Sequence, residues 1–282
     1  MFAASKTASA SGGYQISRSL RFNSADSAYL NRTPASATNQ KTWTFSAWVK
    51  RGAISTTEVT IFGKADTYIS INSNSLTVNF ANGGVNYFMQ ATAVLRDPSA
   101  WYHIVIVLDT TQATAANRVK IYVNGLEQSL YSATYPAQNT NLDINTSSYT
   151  AYIGALYAGS VMRFLDGYIA DVNFIDGQQL TPSSFGETST STGVWIPKKY
   201  TGTYGTNGFY LNFSDNSNTT AATLGKDYSG NGNNWTPNNF SVTAGAGNDS
   251  LVDSPTSYGT DTGVGGTVRG NYATWKPLDK FT

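Results

Sequence analysis

The chain has no cysteine, a single histidine and only three glutamates, Glu58, Glu127 and Glu187. Without cysteine there is neither a disulfide framework nor a thiolate metal centre. A lone histidine, His103, cannot build a His-rich metal site, and as a catalytic base it would need a nucleophile and an orienting partner. No Gly-x-Ser-x-Gly elbow accompanies it. Charged residues make up 12% of the chain, about half the usual share. The net charge is +1 and the densest basic spot is Lys198-Lys199, so the footprint of a nucleic-acid binder is missing. No apolar run approaches the length of a membrane span. Residues 1–14 lack the apolar core of a secretory signal. The sequence therefore predicts synthesis in a cytoplasm, with no nucleic-acid and no membrane partner.

What is present is β-forming. Apolar residues make up 40% of the 282 residues, with 18 Tyr, 13 Phe and 6 Trp, enough to bury a sizeable core. Trp43, Phe45, Ala47 and Val49 alternate with Thr44, Ser46, Trp48 and Lys50, the period-2 signature of a strand. Val59 and Ile61, Tyr68–Ile71, and Leu76, Val78 and Phe80 behave alike. Trp101–Leu108 is apolar on both faces, which predicts a central strand covered on both sides. Val119, Ile121 and Val123 alternate into Asn124-Gly125, a strong hairpin signal. Tyr152–Gly154 and Gly167–Ile175 complete the set. One short helical turn is signalled, with Thr181 as cap and Pro182 at its first position.

This patterning divides the chain into an N-terminal arm (1–17), a β-sandwich (18–185), a linker (186–194) and an extended Gly/Asn/Ser/Thr-rich C-terminal segment (195–282). Trp195, Tyr210, Trp235, Phe240, Leu251, Val252, Tyr258, Trp275 and Phe281 are sparse anchors in that last segment. It is expected to pack along the sandwich or along neighbouring subunits, and to order on assembly.

Five blocks carry a resemblance: Ala28–Leu30, Trp43–Lys50, Ala100–Val105, Val119–Gly125, and Tyr152–Gly154 leading to Phe164–Val172. In this order and spacing they resemble the laminin-G-like, concanavalin A-type jelly-roll superfamily, across roughly residues 18–185. The resemblance implies an all-β concanavalin A-like sandwich. Tyr204–Leu211 and Leu224–Trp235 are similar to a pattern in tail and capsid-associated proteins of marine tailed phages, cyanophages among them. In longer relatives that pattern often leads into a further sandwich.

Candidate chemistry follows from these blocks. Laminarinase-type relatives carry Glu-x-Asp-x-x-Glu on one strand, a spacing that none of the three glutamates meets. Asp166 and Asp171, five apart, fall on opposite faces of any continuous strand. The sequence thus predicts no enzyme. No cofactor is expected; many domains of the resembling family bind one Ca²⁺ at the sandwich rim, for which Asp26, Asp166 and Asp171 are the candidate ligands, with Asp66 nearby, while Asp166-Gly167 reads more simply as a turn and Asp171 as a partner of backbone groups. Asp227–Gly232 superficially matches a calcium loop but lacks its closing glutamate, so it reads as a turn. Tyr87, Tyr131, Tyr135 and Tyr157, in loop-like contexts beside Asn and Ser, are candidates for carbohydrate stacking. The glycine-rich stretch 259–270 lacks Gly-Lys-Ser/Thr and is not a phosphate loop. The resemblance of Tyr204–Leu211 and Leu224–Trp235 implies a phage virion protein, a capsid decoration or a tail or fibre component. Its expected partners are other virion proteins and further copies of itself. The alternative role is recognition of a host-surface glycan, and a polysaccharide hydrolase is a remote third.

Overall fold

The computed structural model describes residues 13–54, 57–64 and 66–256. In chain order the strands are β1 (Ser19–Phe22), β2 (Tyr29–Arg32), β3 (Thr42–Arg51), β4 (Val59–Lys64), β5 (Thr67–Asn72), β6 (Ser75–Asn82) and β7 (Val85–Val94). They continue as β8 (Trp101–Asp109), β9 (Val119–Val123), β10 (Leu126–Glu127), β11 (Leu130–Ala133), β12 (Ala151–Ile153), β13 (Leu156–Tyr157) and β14 (Val161–Met162). The last are β15 (Gly167–Asp176), β16 (Gly186–Thr188), β17 (Trp195–Pro197), β18 (Phe209–Leu211), β19 (Thr236–Asn238) and β20 (Ser250–Leu251).

Two antiparallel eight-stranded sheets face each other. The first runs β10-β9-β8-β3-β15-β1-β20, with β18 also paired to β15; the second runs β11-β7-β6-β5-β4-β12-β2-β19. Alternation decides what lies between them. Trp43, Phe45, Ala47 and Val49 of β3 and Ile104, Ile106 and Leu108 of β8 meet Ile69, Ile71, Leu76, Val78 and Phe80 from the opposite sheet. Trp43 stacks on Phe174 at 5.6 Å and receives Phe80 edge-on at 5.4 Å, arrangements aromatic rings favour. The predicted all-β sandwich is present, and Asn124-Gly125 makes the predicted hairpin with φ of 49° and 81°.

The C-terminal segment belongs to this sandwich. β18 extends the first sheet beside β15, β20 pairs with β1, and β19 pairs with β2. Trp235 is buried in the main core, its ring 4.8 Å from Phe209 and 6.4 Å from Phe62. Up to Leu251 the segment therefore packs on the sandwich of its own chain. The glycine-rich stretch 259–270, the anchors Tyr258, Trp275 and Phe281, and the arm residues 1–12 lie outside the described residues.

The outer face of the first sheet is covered as well. The 186–194 stretch, expected as a linker, is instead a hairpin in which β16 pairs with β17. The turn before it is a 3-10 turn, Pro182–Ser184; Thr181 makes no capping bond, and its hydroxyl meets that of Ser183 at 2.8 Å. This layer buries Phe185 against Val105, Val107 and Ile175, and it lays Trp195 over His103 at 6.0 Å. Glycine makes the close approach possible: a Cβ on Gly186 or Gly125 would lie 2.5 or 2.7 Å from the Trp195 ring.

His103, on β8, is fully buried between Trp195 and Trp48. Trp195 Nε1 donates to its Nδ1 at 2.9 Å, so Nδ1 is the acceptor and Nε2 carries the proton toward Ser46 Oγ at 2.9 Å. Burial pushes the imidazole pKa down to about 3, and a second ring proton would face the Trp195 N–H.

Two consequences are testable. Trp235→Ala is expected to cost about 3–5 kcal/mol in chemical denaturation, and Trp235→Phe less than half of that. Equal stability of both variants and the parent would mean that the C-terminal segment is ornamental. Because the folded pKa of His103 lies below its unfolded value, its neutral form supports the fold above about pH 6.5, and that support fades as pH falls toward about 3. Between pH 7 and 4.5 the loss is roughly 3 kcal/mol. Thermal melts should show a markedly smaller drop in Tm across this window for His103→Gln than for the parent.

Candidate functional site

A defect in β15 organises the outer face of the first sheet. Its register against β3 jumps between Ala170↔Trp48 and Asn173↔Ser46, a β-bulge that leaves Asp171 at φ +53°. Aspartate tolerates this left-handed region better than most side chains. Two phenols then meet the carboxylate. Tyr14 Oη donates to Asp171 Oδ1 at 2.6 Å, and Tyr210 Oη donates to the same oxygen at 2.8 Å. The two hydroxyls also touch one another.

Each tyrosine is placed by a different element. Tyr14 precedes Ile16, which is buried against Trp48 and Ala170 and exchanges hydrogen bonds with Thr256. Tyr210 points outward because Phe209 and Leu211, its neighbours on β18, point into the core. Tyr204 stacks on Tyr210 at 6.2 Å, Tyr200 meets Tyr204 edge-on at 5.1 Å, and Tyr200 rests on Phe185 at 5.2 Å.

Around these rings lies a cavity of about 260 Å³. Its lining comes from three parts of the chain: Tyr14, Gln15, Ile16 and Ser17 before β1, and Lys199, Tyr200 and Tyr204 between β17 and β18. The third part is Tyr210 of β18 with Asn212 and Tyr228 beyond it. Tyr228 comes from a turn organised by the Asp227 carboxylate, which accepts from the backbone N–H of Tyr210, Ser229 and Asn233 at 2.8 Å each. That geometry is the turn expected for Asp227–Gly232.

Burial pushes the Asp171 carboxyl up to about 6, against the opposing pull of hydrogen bonds from Tyr14, Tyr210 and Asn173 and of the Lys199 charge. Tyr14, Tyr204 and Tyr210 are raised as well, by burial first and then by the Asp171 charge, so their hydroxyls remain protonated donors. Because this lies above the ordinary carboxyl value of 3.8, the support that protonated Asp171 gives the fold is complete below about pH 4 and is lost as pH rises through about 6. This opposes the His103 contribution in the same window, with a smaller displacement of pKa.

The residues singled out in the sequence lie elsewhere. Tyr87 and Tyr135 are half-buried against the core, Tyr131 is 79% exposed on edge strand β11, and Tyr157 stacks on Tyr152 at 6.3 Å beside β4 and β12. β5 and β6 separate β4 from β7, so Tyr157 does not share a site with the other three. Asp26 is exposed and held by Asn23 Nδ2 at 2.6 Å. Asp166 lines a separate cavity of about 230 Å³ with Asn23, Arg21 and Tyr168. It precedes β15, and the bulge interrupts that strand, so the alternation expected to relate Asp166 to Asp171 does not apply. Asp66 is exposed between β4 and β5. Among the described residues no three His, Asp or Glu side chains converge on a point that could hold a metal ion. Sequence inspection missed the tyrosine cavity, although Tyr210 stood out as an anchor of the C-terminal segment. Its only visible signal is the spacing of aromatic residues after Lys198-Lys199.

With this geometry in place, comparison with known proteins identifies the fold's relatives. The family model for the concanavalin A-like lectin/glucanases superfamily matches residues 23–184. No curated protein matches the chain in sequence. Among solved structures, a candidate carbohydrate-binding protein from Bacteroides ovatus aligns with a TM-score of 0.51 at 20% identity, over 80% of this chain and 59% of its own length. The chain thus spans little more than half of that relative. A heptameric SAP-like pentraxin from Limulus polyphemus aligns with a TM-score of 0.44 at 16% identity, over 60% of this chain and 80% of its own. Domains LG4-5 of the mouse laminin alpha1 chain align with a TM-score of 0.43 at 14% identity, over 59% of this chain and 43% of theirs. A sandwich with these sheets, matched by that family model over more than half of its length, belongs to the concanavalin A-like lectin/glucanase superfamily.

Proposed function

We propose that the protein is a non-catalytic component of a tailed-phage particle, on the capsid or in the tail or fibre, and that its sandwich adheres to saccharide through the tyrosine-lined cavity. The observation that carries the adhesive role is that cavity. Five tyrosine rings and the Asn212 side chain contribute to the lining of a space of about 260 Å³, just under the usual range of small-ligand clefts. Aromatic faces bury the C–H face of a sugar ring, and amide and hydroxyl groups answer its hydroxyls. Carbohydrate binding is also what the name of the Bacteroides ovatus relative describes.

Binding without turnover is supported by the carboxylate count. Glycoside hydrolysis generally uses two carboxyl groups flanking the scissile bond. The cavity lining contains none, and the one behind it, Asp171, is sealed by Tyr14 and Tyr210. The phage context is supported by the resemblance of Tyr204–Leu211 and Leu224–Trp235, the stretches that supply Tyr204, Tyr210 and Tyr228 to the cavity. Assembly with other virion proteins, and with further copies of this chain, has a natural surface in the exposed Leu126 and Tyr131, at 71% and 79%, on the edge strands β10 and β11.

A glycan array probed with the parent, Tyr200→Ala and Tyr228→Ala separates the roles. Saccharide binding should weaken about tenfold in each variant. Particles carrying either variant should assemble normally and attach poorly to the host. Unchanged array binding in both variants would remove the cavity from the function, and failed assembly with intact binding would favour a purely structural role.

A further inference from the structure

The cavity's hydrogen-bond donors are unequally available. Four of its five phenolic protons are already committed. Tyr14 and Tyr210 donate to Asp171, Tyr204 donates to Asn173 Oδ1 at 3.0 Å, and Tyr200 donates to the Thr203 carbonyl at 3.0 Å. To a ligand these four tyrosines offer ring faces and lone pairs. Tyr228 differs, because its oxygen accepts from Ser214 Oγ at 3.1 Å and its own proton stays free to donate. Asn212 is similar: its Oδ1 accepts from the Ser214 N–H at 3.0 Å, which orients the amide and leaves its NH₂ for a ligand.

Gln15 and Ser17 add a second amide and a hydroxyl, and the strongest donor is Lys199, the one charged side chain in the lining. It is exposed, and among the described residues it makes no ion pair. Its charge reaches Asp171 only as a background attraction, and the two phenols hold that carboxylate away from the cavity. The lining therefore presents one ammonium without an ion pair, the amides of Asn212 and Gln15, the Ser17 hydroxyl and the Tyr228 phenol against a background of aromatic rings, with no carboxylate to repel an anion.

We propose that the cavity selects a carboxylated sugar, a hexuronate or a comparable acidic residue. Lys199, Asn212 and Tyr228 hold its carboxylate, and the rings of Tyr200 and Tyr204 pack against its apolar face. This refines the saccharide-binding role proposed above and depends on it. A charge-assisted contact of this kind is stronger than a neutral one and is screened by salt.

The test uses the whole protein on an array of matched oligosaccharides, each acidic member (galacturonate, glucuronate) paired with its carboxyl-reduced neutral counterpart, at low and at high salt. Acidic members should bind about ten- to a hundredfold more tightly than their neutral partners. The preference should collapse in Lys199→Gln while the weaker binding of neutral members persists. Because Lys199 is exposed, this variant should keep the parent's Tm, and Lys199→Arg should restore most of the preference. Equal binding of acidic and neutral members, unaffected by Lys199→Gln, would overturn the charge selection and leave saccharide binding standing. No binding to any member of either class would overturn both.

Discussion

Strand β8 presents apolar side chains on both faces, and no two-layer sandwich can bury both. Ile104, Ile106 and Leu108 go inward, while Val105 and Val107 need a second cover on the outside. The chain provides it with Phe185 and the β16–β17 hairpin, and Trp195 seals His103. Thr44 and Ser46, on the same outer face of β3, are buried too and must be satisfied. Thr44 Oγ1 donates to the Gln178 carbonyl at 2.8 Å and accepts from the Leu180 N–H at 2.9 Å, and Ser46 meets His103. Everything on this side of the molecule follows from that requirement.

The covering layer does not extend over the whole sheet. At the β15 bulge the backbone turns Asp171 toward Tyr14 and Tyr210, and the gap between the N-terminal stretch and the 199–204 loop becomes a cavity. A buried carboxylate is costly unless it is hydrogen-bonded, and the two phenols meet that cost while lending their rings to the walls. The electrostatic consequence is specific. Asp171 and His103 are perturbed by the same burial in opposite directions, since burial penalises charge whatever its sign. One therefore gains from acid where the other loses.

Much of the sandwich was legible from alternation. The Trp43–Val49 face, the doubly apolar Trp101–Leu108 strand and the Asn124-Gly125 turn are local patterns, and each appears where its period places it. The hairpin at 186–197 was hidden because Gly-Glu-Thr-Ser-Thr-Ser-Thr-Gly has the composition of a linker, and only the glycine-enabled contact of Trp195 with Gly186 and Gly125 gives it shape. The bulge at Asp171 was hidden because one extra residue in a strand leaves no compositional mark. Projecting Asp166 and Asp171 onto a continuous strand failed for that reason. Tyr87, Tyr131, Tyr135 and Tyr157 were chosen by loop-like context, a criterion that says nothing about which side chains converge.

The sequence by itself determined the class of fold, because side-chain period is a property of the chain and two apolar faces can be buried only by stacking sheets. It also limited the chemistry, since a residue type that the chain lacks, cysteine, cannot be supplied by folding. Only the tertiary structure decided the site. Tyr14 and Tyr210 are 196 residues apart in the chain and share one carboxylate. No local pattern encodes a contact whose members are brought together by sheet register and a single inserted residue.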